Sequence, residues 1–593
     1  MRFRVLREID RIPGMARLRR FDRRWNSAEP FVFSRTQVTV CAVAAAIAGL
    51  ISASVALRQS APTIHPDEWG FLLNGRVIFG HDEATIPTGS FYPAGFGLVT
   101  GLLGEITGSL AGAYRGTLVV NVVLGVLVAV AAHRVARRVF GLDRRPAVVA
   151  ALLSYVVPGT IITSLFAWAE TAARLAFLLF VLGFHRVAGR RSAAGLCGLG
   201  FFVGLMPALH GRYTLFLPLV CGVFLWWGRH RDASRTAAVA GCTLAAAGYV
   251  LSYLLNRYVK TRLYLESYDQ ENRLLRRLVN PTVWPALLRT MVGQSWYLVA
   301  TMAGFLAVGV AWGVWFVRSR GGLRSLRTDP MRITAAMVLG CTALLIFTGG
   351  LQLLYGYRGD HLIYGRYVEI LVPALIVMSC AGAVSSPLLA RRAWLSGAVI
   401  TAVVAVVYVV VDWGDGVKGG WIRHEIVFPN IIGTDAVRYL VQPGLLTFAA
   451  VFAAVGGALW WTSRRSGALA IASMLVLLAV GSAWSAEQSV LPRTWRHEQS
   501  GETVPALRES GADPIGFDTG QRNDRAYYYL RWKLFPVRLV RFDISAPGSV
   551  IPAEYSCVYG FGNRPPADGV WRIVAEEKVL ERVLWQRAGT DRC

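Results

Sequence analysis

The chain has 593 residues, 54% of them hydrophobic and only 17% charged, with a mean hydropathy of +0.44. Those values exclude an ordinary soluble core and point to a polytopic membrane protein. The formal net charge of +26, from 62 Lys and Arg against 36 Asp and Glu, would suggest nucleic acid in a soluble chain. In an apolar one it is first a matter of topology, because cytoplasmic loops collect Arg and Lys, and no nucleic-acid partner is expected.

Residues 1–35 are polar and carry nine arginines between Arg2 and Arg24, with no apolar core of a signal peptide. They read as a cytoplasmic basic arm held against anionic lipid. A spanning helix takes roughly 20 apolar residues. The stretches 36–57, 113–132, 146–165, 171–188, 193–209, 213–228, 236–255, 296–317, 331–354, 367–384, 394–412, 443–461 and 467–484 qualify, which predicts about thirteen transmembrane helices in a domain over 36–484. The Gly-rich segment 93–110, interrupted by Glu105, is expected to be interfacial or re-entrant.

With the N-terminus inside, every even-numbered span ends in an Arg cluster: 133–145, 189–192, 229–235, 318–330, Arg391-Arg392 and Arg464-Arg465. That regularity supports both the count and the direction. The opposite loops, 58–92, 256–295 and 413–442, are long, aromatic and mixed in charge. The basic, amphipathic loop 256–295 is expected to lie along the outer interface. An odd number of spans also places 485–593 outside.

The tail 485–593 has the composition of a soluble domain. Helices are predicted over 502–511 and 524–534, the second with an aromatic face (Tyr527, Tyr528, Tyr529, Trp532), and strands over 514–518, 537–543, 555–561, 571–576 and 579–586. This is a small extracytoplasmic α/β domain. Six of eight cysteines fall in apolar runs, and there is no CxxC pair. Cys557 and Cys593 lie together in the tail, as a disulfide or as two free thiols.

The loop after the first span carries His65-Pro66-Asp67-Glu68-Trp69-Gly70, and with its interfacial helices it is the candidate catalytic outer segment over 58–112. Loop acids are ordinarily solvated. Asp67 and Glu68 differ in lying just past a helix end, stiffened by Pro66 and followed by apolar Trp69, Phe71, Leu72 and Leu73, so either is a candidate general base. With the second cluster His81-Asp82-Glu83, the loop holds two histidines and four acids. That set permits a divalent cation (Mg, Mn or Ca), with no ligand spacing diagnostic of one. His65 and Tyr92 are candidates to line the substrate cavity.

Glu170 and Arg174 sit in the short outer turn between spans three and four. They are either a local i,i+4 ion pair or cavity-lining groups. Two outer turns echo each other: His210-Gly211-Arg212-Tyr213 and Tyr364-Gly365-Arg366-Tyr367, each shortly before a proline-containing helix. Arg at such a helix start suits a phosphate. Arg366, Arg358, Arg212, His361 and Tyr364 are therefore candidate phosphate ligands, with His210 beside them in the cavity.

On Pro66-Asp67-Glu68 and the Gly-Arg-Tyr turns, set in an all-α polytopic frame with an outer tail domain, the chain resembles the membrane glycosyltransferases of the GT-C fold. Its likeness is to the protein O-mannosyltransferase and aminoarabinose-transferase branch. The resemblance implies that Asp67 or Glu68 takes the acceptor proton, that outer arginines hold the phosphate of a polyprenyl-phosphate sugar donor, and that Glu170 matches the family's second-loop acid. The WWD-type tail motif of oligosaccharyltransferases is absent. The richness in Ala, Val, Arg and Gly resembles that of actinobacterial chains, where such enzymes use decaprenyl-phosphate arabinose or mannose to build envelope polysaccharides. The expected function is sugar transfer to a cell-envelope glycan or lipid acceptor at the outer face of a bacterial plasma membrane. A transporter or flippase of lipid-linked sugars would predict paired half-repeats. A non-enzymatic envelope assembly protein would leave Asp67 dispensable.

Overall fold

The structure, a computed structural model, describes residues 31–63, 66–264, 270–319, 322–354, 363, 365–415, 445–491, 503–519, 525–544, 548, 550–578 and 580–590. In chain order the helices of the apolar region are α1 Arg35–Arg58, α2 Pro66–Ile78, α3 Gly97–Thr107, α4 Leu110–Arg138, α5 Arg144–Val156, α6 Pro158–Ser164 and α7 Glu170–Arg190. They continue as α8 Ala193–Leu205, α9 Phe216–Arg229, α10 Arg235–Leu263, α11 Gln270–Val279, α12 Trp284–Thr301, α13 Leu306–Arg318, α14 Gly322–Thr328 and α15 Pro330–Leu353. The last are α16 Val372–Ser385, α17 Pro387–Asp415, α18 Leu445–Arg465 and α19 Gly467–Ser485.

Among the described residues every stretch predicted to span contains helix, but the count differs. Among the described residues eight helices are long and apolar enough to cross a membrane, or up to ten if each of two bent pairs is one span. The shortfall from about thirteen has two physical causes. Helix α9, with 14 residues, rises only about 21 Å against a hydrocarbon core of about 30 Å, and α8 and α16 are similarly short. The other cause is breakage. Pro158 offers no N–H and disfavours helix at Val157, and α5 and α6 meet at 52°.

The predicted span 296–317 is broken at residues 302–305, where the flanking helices turn by 111°. Gly304 makes the break with φ +87, and a Cβ there would lie 2.8 Å from the Ala398 nitrogen of α17. The carbonyl of Ala303, left outside a helix, accepts from Trp394 Nε1 at 2.9 Å. Glycine is required both by the backbone and by the close approach.

Arg-bearing helix ends gather at one end of the bundle. Arg145 donates to the Phe33 carbonyl at 3.1 Å, Arg191 to that of Arg327 at 2.8 Å, and Arg391 to that of Ser463 at 3.0 Å. The opposite end carries α2, the start of α7 and the turns before α9 and α16.

Beyond α19 the chain forms the α/β domain read from the sequence: α20 Thr503–Ser510, β1 Ile515–Asp518, α21 Arg525–Lys533, β2 Leu539–Phe542, β3 Cys557–Gly560, β4 Trp571–Glu577 and β5 Arg582–Arg587. Strand order is β2-β1-β3-β5-β4, with β1 parallel to both neighbours and β5 antiparallel to β3 and β4. Cys557 is disulfide-bonded, and Cys593 lies outside the described residues.

The aromatic face of α21 is split between two partners. Tyr527 packs on Phe517 of β1, and Tyr528 and Trp532 pack on Trp69 of α2 at 5.7 and 6.3 Å between centroids. Arg531 grips Glu83 through both carboxylate oxygens at 2.8 Å, with each side chain 2% exposed. The α/β domain therefore braces the helix that begins with Asp67 and Glu68.

Candidate active site

Helix α2 starts at Pro66, a residue suited to the first helical position, and Asp67 and Glu68 occupy its first turn, where the dipole favours anions. Buried Trp69, Phe71, Leu72 and Leu73 fix the helix against the bundle. Adjacent residues on a helix point about 100° apart, so the two carboxylates go different ways.

Glu68 turns inward and is fully buried. It accepts backbone N–H groups from Thr63 at 2.7 Å and Ala167 at 2.8 Å, tying the end of the first loop to the turn before α7. Burial pushes its carboxyl from the usual 4.5 up to about 7, against the two backbone donors that lower it.

Asp67 turns to a 30% exposed position. Its Oδ1 accepts from the Tyr92 hydroxyl at 2.6 Å and its Oδ2 from Arg366 Nη1 at 2.7 Å. Gly70 permits this, because a Cβ at that position would run into the Tyr92 ring. Burial, with the charge of Asp67 beside it, holds the Tyr92 phenol well above its usual range, so it remains a neutral donor.

Arg366 is the hub. Its Nε pairs with Glu170 Oε1 and its guanidinium lies 4.1 Å over the Trp168 ring, which stacks on Phe166. Glu170 is 4% exposed, and its Oε2 meets no hydrogen-bond partner among the described residues. Of the two readings of Glu170 and Arg174, the local i,i+4 pair does not form. Arg174, 1% exposed, pairs instead with Glu369 Oε2 at 2.6 Å and with the Thr163 hydroxyl, while Tyr297 donates to the other Glu369 oxygen. Arg174 is therefore a buried strut beneath the site rather than a cavity-lining group.

The two Gly-Arg-Tyr turns are both 3-10 helices, Gly211–Leu215 and Gly365–Tyr367, and they meet. The Arg212 guanidinium lies 3.0 Å over the Tyr367 ring and donates to Gln352 Oε1 at 2.8 Å. His210 is 3.2 Å from Arg212. Burial, then Arg212 and Arg366, push it well below its usual range, so it is neutral. Asp67, Tyr92, Glu170, Arg366, Arg212 and His210 thus converge at one end of the bundle. His65, Arg358, His361 and Tyr364 lie outside the described residues.

The acids of the first loop do not converge on a cation. Asp67 meets Arg366, Glu68 meets backbone, Glu83 meets Arg76 and Arg531, and His81 pairs with Glu105 at 2.6 Å. Among the described residues no group of three or more His, Cys, Asp or Glu could hold a metal ion. The basic loop 256–295 also differs in one respect. Arg277, within that loop, is 8% exposed rather than interfacial and caps α15 through the carbonyls of Leu351, Gln352 and Leu354.

Sequence reasoning missed Glu369, Tyr297, Trp168 and Arg531. The available signal was charge order. Glu170 and Arg174 on one element face Arg366 and Glu369 on another, so two cross-pairs form at once.

No protein-family model matches the chain, and no curated protein matches it. Among solved structures it is similar to ArnT from Cupriavidus metallidurans bound to undecaprenyl phosphate, with 14% identity and a TM-score of 0.51 over 94% of this chain and 99% of that one. The apo form of that protein gives 15% identity and 0.49 over 92% and 97%. The Archaeoglobus fulgidus oligosaccharyltransferase gives 13% and 0.43 over 84% and 64%. The first likeness establishes the fold, a polytopic helical architecture shared with ArnT, in which this chain has the spans and the small C-terminal α/β domain described above.

Proposed function

We propose that the chain is a membrane glycosyltransferase that moves a sugar from a polyprenyl-phosphate donor to a hydroxyl of an envelope glycan or lipid, with inversion at the anomeric carbon. The observation that carries this reading is the Asp67–Arg366 pair: a partly exposed carboxylate and a phosphate-competent guanidinium side by side. Support also comes from the fold shared with ArnT, which was solved with undecaprenyl phosphate.

In this reading the acceptor O–H gives its proton to Asp67 and its oxygen bonds to the anomeric carbon. The bond from that carbon to the phosphate oxygen breaks, and the electron pair leaves on the phosphate. A phosphate is a good leaving group at neutral pH, so one base and cations for the departing charge suffice. Arg366 is the principal phosphate ligand, with Arg212 beyond it. Neutral His210 and Glu170 face sugar hydroxyls. Glu68 holds the loop in shape and leaves the proton to Asp67. A divalent cation at this place would have to displace Arg366 from Asp67 and Glu170, which makes the guanidinium the resident cation.

The Arg-bearing ends of the bundle are the cytoplasmic ones in this reading. The site and the α/β domain then lie on the outer side of a bacterial plasma membrane, where a lipid-linked donor replaces nucleotide sugars.

The test is sugar transfer by the purified full chain from polyprenyl-phosphate mannose and polyprenyl-phosphate arabinose, followed as release of polyprenyl phosphate. Arg366→Ala should raise the donor KM by about tenfold or more, as expected for loss of a charge-assisted phosphate contact. Absence of transfer from both donors, with folded protein and a mixed envelope-glycan acceptor pool, would refute the reading.

A further inference from the structure

We propose that Arg366 is shared between the base and the donor phosphate, so that donor binding is what switches Asp67 on and the donor must bind before the acceptor can react. This rests on the proposed function and concerns the regulation of that same site.

The contacts of Arg366 conflict with simple catalysis. Asp67 accepts from Tyr92 on one oxygen and from Arg366 on the other. A carboxylate bonded to a cation is held ionised and takes a proton poorly. As long as Arg366 stays on Asp67, a hydroxyl brought to that carboxylate meets a weak base. Arg366 is equally committed on its own side, with Nε on Glu170, Nη1 on Asp67 and one face on Trp168. A bidentate grip on a phosphate takes two adjacent N–H groups, so phosphate and carboxylates compete for one guanidinium.

When the phosphate wins, Asp67 keeps the Tyr92 hydrogen bond, loses the Arg366 guanidinium and gains a negative neighbour. Both changes raise its affinity for a proton. Glu170 is freed at the same moment, and with its Oε2 already without a partner among the described residues it can receive sugar hydroxyls on both oxygens.

The transfer step then balances. The acceptor proton moves to Asp67, the acceptor oxygen bonds to the anomeric carbon, and the released electron pair goes to the phosphate, held by Arg366. Asp67, 30% exposed, returns its proton to solvent and reclaims Arg366. That recapture pushes the polyprenyl phosphate off the site. The coupling is reciprocal by linkage: whatever donor binding does to the Arg366–Asp67 pair, the pair does to donor binding.

The test is the affinity of the full chain, reconstituted in nanodiscs, for undecaprenyl phosphate. Asp67→Asn is isosteric, keeps a partner for Tyr92 and removes the competing charge. It should bind on the order of tenfold tighter than wild type, although it is the inactive variant. Glu170→Gln, the second arm in case Asp67→Asn folds poorly, should also bind tighter, and Arg366→Ala should bind weaker than both. Binding by wild type that Asp67→Asn and Glu170→Gln leave unchanged or weaken overturns this inference alone. Absence of binding to wild type overturns the proposed function, and this inference with it.

Discussion

Asp67 and Glu68 are neighbours in sequence, and the structure gives them separable consequences when each is replaced by its amide. Asp67→Asn removes a partly exposed carboxylate, and the buried Arg366 keeps Glu170 as its counter-charge, so the fold should lose no more than about 1 kcal/mol. Removal of a general base lowers the rate of transfer by about 10²–10⁴-fold. Glu68→Gln does the reverse. The carboxylate accepts from both Thr63 and Ala167, whereas an amide has only one accepting oxygen. One buried backbone N–H is left facing an NH₂ group, at a cost of about 1–3 kcal/mol.

The pH dependence separates them further. Burial raises Glu68 from 4.5 to about 7, so between those values the native state binds a proton that the unfolded chain has released. Its contribution therefore favours the native state at the acid end, falls as pH rises towards about 7, and is flat above. Thermal unfolding from about pH 5 to about pH 8 should show that component in wild type and Asp67→Asn and lack it in Glu68→Gln. Initial transfer rates on the same samples complete the comparison. If Asp67→Asn keeps transfer within tenfold of wild type while Glu68→Gln abolishes it with an unchanged melting curve, the roles are the wrong way round.

Two buried ion pairs give further tests. Removing one partner of a buried pair costs about 3–5 kcal/mol. Arg531→Met should destabilise the docking of α21 on α2 by less than that, because Glu83 keeps Arg76, and the loss should be seen as faster hydrogen exchange over Arg525–Lys533. Arg531→Met with Glu83→Gln should exchange faster still, because Arg76 then loses its carboxylate. Exchange in Arg531→Met equal to wild type would mean that the 2.8 Å bridge does not couple the domains. Glu369→Gln should likewise strand Arg174, and Arg174→Met with Glu369→Gln should restore stability. The double variant should still show a raised donor KM, with Glu369→Asp partly rescuing it, because the turn bearing Arg366 has lost its anchor. A donor KM equal to wild type would reduce the pair to a purely structural one.

Much of this architecture was legible because membranes restrict what a chain can write. Apolar stretches of span length and the Arg clusters between them gave nearly every helix, and alternation of strands and helices gave the tail domain down to β4 and β5. What misled was length taken without shape. A run of apolar residues over 296–317 does not reveal that Ala303 and Gly304 leave the helical region, since the break is stabilised by α17, about a hundred residues away. The candidate site was legible in the residue types the structure brings together and illegible in their partners. Asp67, Glu170, Arg366, Tyr92 and Arg212 were named from local motifs, but Glu68 looked equivalent to Asp67 because sequence carries no direction. Glu369 and Arg531 looked like ordinary residues because their partners come from other elements.

The pairing of Glu170, Arg174, Arg366 and Glu369 makes the difference concrete. Local pairing by helical spacing would satisfy all four charges, Glu170 with Arg174 and Arg366 with Glu369, at a few tenths of a kcal/mol per exposed pair. The structure uses the other partition, and all four are nearly buried. At that depth each pair is desolvated and hydrogen-bonded, so a cross-pair ties the start of α7 to the turn before α16 and fixes their separation. The choice also decides chemistry. With Arg366 turned back on Glu369, Asp67 would lose its 2.7 Å pair with that guanidinium, and a donor phosphate would lose its principal ligand. Cross-pairing sends Glu369 down to Arg174 and leaves Arg366 up at Asp67, where it can be exchanged for a phosphate. Four residues of ordinary type thus build a rigid strut and an exchangeable cation in one step, and it is through Asp67, 30% exposed, that Arg366 reaches the partly exposed surface.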